Sequence, residues 1–254
     1  MMRPALPLLA TAVLLAGCGG GDDDPTTEAR SPSTTTAPAT TAATTPTTTA
    51  ATPAAEIESA PAGSAAQEKA TARDGVLVRA DLPGTWTGGQ VGGKDEVDGP
   101  CPAIVAAKRA TSGRARTELF RKGDSSVGSA VYLYETPAQA LRSLESINSD
   151  FNRDCIVKAG LDQVRDAAKK AGGTVSAPQE STPALTGGSG PSAYRVSVTV
   201  RAEGRTEDVS ISIATSRVGR GLALLALVGV DDAVQQQLMT AAVRRLTDAQ
   251  AVGP

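Results

Sequence analysis

Residues 76–250 predict an α+β fold: an antiparallel sheet of about five strands with helices packed on it and one disulfide. Three observations lead there. Period-two apolar alternation marks several segments as strands, helical spacing marks others, and strands follow strands instead of alternating with helices. A parallel βαβ arrangement would need the alternation that is missing.

Arg116 to Lys122 and Val127 to Tyr134 are two strands around a Gly123-Asp124 turn. Thr136-Pro137-Ala138-Gln139 is a capping box with proline at the first helical position. Ala140, Leu141, Leu144, Ile147 and Phe151 follow at helical spacing, a stripe expected to lie on the sheet. Leu161 to Ala171 is a second, weaker helix that ends at Gly172-Gly173. The segment from Pro178 to Pro191, with its Gly187-Gly188-Ser189-Gly190 run, reads as an exposed loop.

Tyr194, Val196, Val198 and Val200 alternate with Arg195, Ser197, Thr199 and Arg201, the pattern of a half-buried strand. Val209, Ile211 and Ile213 repeat it after a Glu203-Gly204-Arg205 turn. Leu222 to Val230, apolar throughout and preceded by Gly219-Arg220-Gly221, is a central strand covered on both faces. These three strands are consecutive and antiparallel. The last helix starts at Asp231-Asp232, whose carboxylates suit a helix N-terminus. Val234, Leu238, Ala241, Val243 and Leu246 form its apolar stripe, and Arg244 and Arg245 are expected to complement its C-terminal dipole.

The chain ahead of this domain is of another kind. Met1 to Cys18 has a positive start at Arg3, an apolar run from Ala5 to Ala16 that is too short to span a bilayer, and small residues before a cysteine. Leu15-Ala16-Gly17-Cys18 resembles the lipobox of bacterial lipoproteins. The resemblance implies a signal peptide over 1–18 and a lipid, of the palmitate type, on Cys18 that holds the protein on the extracytoplasmic side of a cell membrane. Residues 19–75 read as a disordered tether: residues 26–52 are about half threonine, the rest mostly alanine and proline, with too little apolar surface to offset chain entropy. The tether is acidic, with three basic and eight acidic groups over residues 19–74, whereas the 21 basic and 19 acidic groups from Gly75 onward leave the domain near neutral.

With Cys18 lipidated, Cys101 and Cys155 are left as the pair for one disulfide in an oxidising compartment.

Composition excludes much chemistry. The chain has no histidine, which removes the usual general base near neutral pH and the commonest metal ligand. No Gly-x-Ser-x-Gly or Ser-x-x-Lys motif is present. A net charge of −2 carries no nucleic-acid footprint. Gly88-Gly89-Gln90-Val91-Gly92-Gly93-Lys94 approaches a phosphate loop, but Asp95 stands where a hydroxyl residue is needed, so it reads as a flexible loop. Asp95, Glu96 and Asp98 lack the spacing of an EF-hand and read as a solvated loop. Arg109, Arg114, Arg116 and Arg121 gather basic charge on what reads as ordinary outer surface. A glycosidase working through carboxylates alone would want aromatic platforms, and the chain has one tryptophan, three tyrosines and two phenylalanines. Trp86 is expected to cap the core beside the disulfide. No catalytic residue, metal or cofactor is expected.

Asp81-Leu82-Pro83-Gly84-Thr85-Trp86, then Cys101, Phe120 and the strand Val131-Tyr132-Leu133-Tyr134 form a series that continues with Thr136-Pro137, Cys155 and Val218-Gly219. Over residues 78–247 this series resembles the PknH-like extracellular sensor-domain family of actinobacterial kinases and lipoproteins. The resemblance implies an antiparallel sheet with helices and a ligand-binding cleft, without catalysis. Two domain cysteines stand where PknH-type members have four, and no family binding residue carries over. The expected function is a lipid-anchored binding or sensor domain for an envelope-associated small molecule, lipid or glycan. The alternative is a non-catalytic accessory lipoprotein that binds another envelope protein.

Overall fold

The structure is a computed structural model that describes residues 62–92 and 101–251. The signal peptide with Cys18, the tether as far as residue 61, Gly93-Lys94 and the Asp95, Glu96, Asp98 trio lie outside the described residues.

The architecture is α+β, with an antiparallel sheet at its centre. The strands are β1 (Thr87–Gly88), β2 (Gly113–Arg116), β3 (Phe120–Lys122), β4 (Ser125–Leu133), β5 (Thr174–Val175), β6 (Gln179–Ser181), β7 (Ser189–Ala202), β8 (Arg205–Val218) and β9 (Gly221–Val228). Their order is β1-β3-β4-β9-β8-β7-β5, with β2 on β4 and β6 on β7. β7, β8 and β9 are the three consecutive antiparallel strands the alternation predicts. β9 pairs with β4 from Ser126↔Val228 to Leu133↔Gly221, and all eight of its residues are buried. A strand covered on both faces can be apolar at every position, which is why Leu222 to Val228 shows no alternation.

The helices are α1 (Ala65–Gly75), α2 (Pro102–Arg109), α3 (Pro137–Ile147), α4 (Asp150–Lys170) and α5 (Asp232–Ala251). Side-chain alternation sorts them onto opposite faces. Val131, Leu133, Ala223, Leu225 and Leu227 share a core with Ala72 of α1 and with Leu238, Met239 and Leu246 of α5. Ala130, Tyr132, Leu222 and Leu224 share another with Ala107 of α2 and with Ala140, Leu144 and Ile147 of α3. Leu161, Val164 and Ala168 of α4 continue this second face over Val196, Val198 and Val200.

Several boundaries differ from expectation, each for a local reason. Residues 65–75 are helical and are not part of a tether. Ser64 accepts a hydrogen bond from the Gln67 N–H while the Gln67 side chain accepts from the Ser64 N–H, a complete capping box, and Glu68, Ala72 and Gly75 are buried. α3 begins with the Thr136/Gln139 box as expected but stops at Ile147, and α4 starts afresh at Asp150 instead of near Leu161. That restart takes Phe151 out of phase with the α3 stripe. Phe151 is 68% exposed and Leu141 42%, so neither lies on the sheet. α4 ends where expected, with Gly172 at φ 66° just beyond it. The predicted loop before β7 contains β6 and the first residues of β7 itself.

Candidate functional site

A groove of about 680 Å³ is lined by α1, the C-terminal half of α5, Asp81 and the β8–β9 turn. Its floor is an ion pair between Glu68 and Arg220, whose side chains are 3% and 6% exposed. Arg220 Nη1 donates to Glu68 Oε2 at 2.5 Å and Nη2 to Oε1 at 2.7 Å, a bidentate fork. The Gly63 N–H and the Ser112 hydroxyl also donate to the carboxylate, at 2.8 and 2.9 Å. Arg220 Nη1 reaches the Tyr134 carbonyl as well, at 3.0 Å. The Glu68 carboxylate thereby joins α1 to the residue before β2 and to the β8–β9 turn, and Arg220 carries the link on to the end of β4. Burial by itself would raise the Glu68 pKa; the hydrogen bonds from Arg220, Gly63 and Ser112, with the Arg220 charge, outweigh it and hold the pKa below its ordinary value.

Gly113 makes the close approach of α1 to β2 possible, because a Cβ there would stand 2.5 Å from the Glu68 carbonyl oxygen.

Asp81 organises the rim. Arg245 Nε donates to its Oδ2 at 2.5 Å and the Val78 N–H at 2.8 Å, and Arg244 Nη2 stands 3.4 Å from Oδ1. Arg245 also caps the Asp74 carbonyl at 3.0 Å. Arg244 and Arg245 therefore serve a carboxylate on a neighbouring element, a correction to the expected role at the helix end. They precede Ala251, the last helical residue, by more than a turn, and their reach is sideways. The Asp74 and Asp248 side chains line the same groove and have no hydrogen-bond or ion-pair partner among the described residues. Aromatic residues and aliphatic side chains larger than alanine are absent from the lining.

The residues singled out in the sequence lie elsewhere. Cys101, the N-cap of α2, is bonded to Cys155 of α4 across 54 residues of sequence, with Cα atoms 5.7 Å apart. Trp86 is buried, with Nε1 donating to the Pro83 carbonyl at 3.0 Å, but it belongs to the core under α1 and α5. The disulfide ties helices of the other face, so the expectation that Trp86 sits beside it is corrected. Of the basic series, Arg109 ends α2, Arg114 and Arg116 are on β2 and Arg121 on β3, and none of the four is a free cation. Among the described residues there is no group of three or more potential metal ligands, and no helix is long and apolar enough to cross a membrane.

Sequence reasoning gave no role to Glu68, Asp74, Asp248 or Arg220, and to Asp81 only a place in the family series. A signal existed for two of them. Ser64-Ala65-Ala66-Gln67 is a capping-box spacing that announces α1, and Arg220 is flanked by glycines in the turn before the most buried strand.

No family model matches the chain, and no curated protein matches it. Among solved structures, the extracellular domain of PknH from Mycobacterium tuberculosis is similar at 12% identity, covering 76% of this chain and 98% of that one, with a TM-score of 0.37. Likeness at that level transfers no ligand and no residue role.

Proposed function

We propose that this protein is a lipid-anchored, extracytoplasmic binding or sensor domain without catalytic activity, and that the α1–α5 groove is its ligand site. The groove is the observation that carries the reading: it is a concave space of a size typical for small-molecule sites, with a floor already fixed by hydrogen bonds. The lipobox at Cys18 and the Cys101–Cys155 disulfide support a location outside the cytoplasm. A general acid would need a carboxyl that keeps its proton, whereas the hydrogen bonds and the Arg220 charge around Glu68 favour its ionised form.

Native mass spectrometry of the full chain after incubation with an envelope extract tests the binding role. An added mass that is lost on denaturation is expected, and a folded chain that acquires none overturns it. For the anchor, Cys18→Ala is expected to move the protein from the membrane fraction to the soluble one.

A second reading, an accessory lipoprotein that docks on another envelope protein, is favoured by Phe151 and Leu141, the exposed large hydrophobic residues of α4 and α3. Crosslinking from position 151 to an envelope protein would support that reading.

A further inference from the structure

The groove's lining narrows the chemistry of what it takes. With no aliphatic side chain larger than alanine it offers an acyl chain little to bury against, and without aromatic residues it offers no stacking platform for a sugar ring. It carries solvent-exposed charge of both signs. Asp74 and Asp248 are carboxylates without a partner among the described residues. Arg244 is the surplus cation: its side chain is 66% exposed, and its contact with Asp81 is 3.4 Å long. That same aspartate already takes closer hydrogen bonds from Arg245 and the Val78 N–H. A charge-assisted hydrogen bond is normally about 2.7–2.9 Å, so Arg244 can exchange Asp81 for a better acceptor at little cost. A ligand that is only anionic would meet the two aspartates, and one that is only cationic would meet Arg244.

Resting on the reading of the groove as a ligand site, we propose that its ligand is a short zwitterion of the amino-acid or peptide class. Asp74 and Asp248 receive its ammonium group and Arg244 receives its carboxylate. At about 680 Å³ the groove has room for a short peptide, not only a lone amino acid. Because Asp74 belongs to α1 and the other two residues to α5, the bound ligand joins the two helices.

The test is an NMR titration of the ¹⁵N-labelled full chain, in an uncharged detergent, with four forms of one probe: trialanine, its C-terminal amide, its N-acetyl form and the doubly blocked peptide. Free trialanine is expected to shift groove resonances and to bind about 10-fold more tightly than either singly blocked form, with the doubly blocked form weakest. Asp74→Asn together with Asp248→Asn is expected to abolish the advantage of a free amino end and leave the carboxylate dependence. Arg244→Ala is expected to do the reverse. A merely structural role for these residues would weaken all four peptides alike, and that result overturns the proposal. Equal binding of all four peptides by the unaltered protein, or no groove shifts with any, also overturns it. An envelope extract that adds mass and shifts groove resonances when trialanine does not would overturn the zwitterion while leaving the binding reading in place. No added mass and no shifts would remove both.

Discussion

The two faces of the sheet are fastened differently. On one face α2, α3 and α4 are joined by apolar packing and the Cys101–Cys155 bond. On the other, α5 also packs through large apolar residues, but α1 buries little beyond Ala72, Gly75 and the charged Glu68. Its attachment depends on Arg220, while the segment after it is anchored by Val76, Leu77, Leu82 and Trp86 in the same core, with Asp81 bonded to Arg245 in addition. α5 adds a further polar fastener at its start, where Arg195 is bonded to Asp232, Gln235 and Ser212. A covalent bond and a dry core hold one geometry. Ion pairs hold geometry only while both partners are charged, and a groove between elements held in this way stays polar. The groove opens on the face where these ion pairs lie.

Changing Glu68 should break this comparison most sharply. Glu68→Gln removes the charge from the carboxylate that Arg220 holds with two hydrogen bonds in a buried setting, for an expected loss of about 3–5 kcal/mol in denaturant unfolding. Replacing both partners, Glu68→Met with Arg220→Met, should cost much less than either single change, because no buried charge is then left unpaired. If the double variant is as unstable as the single one, the fastening is packing and not charge.

Removing the disulfide by Cys101→Ser with Cys155→Ser should cost about 3–4 kcal/mol for a loop of 54 residues, read from the same unfolding curves. Hydrogen exchange should then show α2 and α4 opening first, with α1 keeping its protection.

Acid sharpens the contrast in the opposite sense. The folded pKa of Glu68 lies below its ordinary 4.5, so its contribution to stability is complete above that value and is lost as the pH falls through the folded pKa. α1 amides should therefore lose protection in acid before those of α4, as measured by hydrogen exchange across a pH series. The smallest effect is expected at Phe151→Ser. This exposed residue should change stability by no more than about 0.5 kcal/mol, so any larger effect on partner crosslinking would be a binding effect.

Much of the fold was legible in the sequence because its signals are local. The Thr136–Gln139 box, the alternation of β7 and β8 and the unbroken apolar run of β9 all reappear where expected. Phe151 shows where such reading stops, since a stripe at helical spacing carries no notice that the helix ends at Ile147. α1 was lost for a related reason: its composition continues the alanine-rich tether, and only the Ser64–Gln67 spacing sets it apart.

Sequence alone therefore determined the α+β class, the central strands and the cysteine pairing, because periodicity and the small number of cysteines restrict them. The groove was decided by tertiary structure. Glu68 and Arg220 stand 152 residues apart in the chain and Asp81 and Arg245 stand 164 apart, and each reads as an ordinary surface charge until folding buries Glu68, Arg220 and the Asp81 carboxylate and half-buries Arg245. Burial turns a solvated residue into a fastener, and that depends on which distant group arrives beside it.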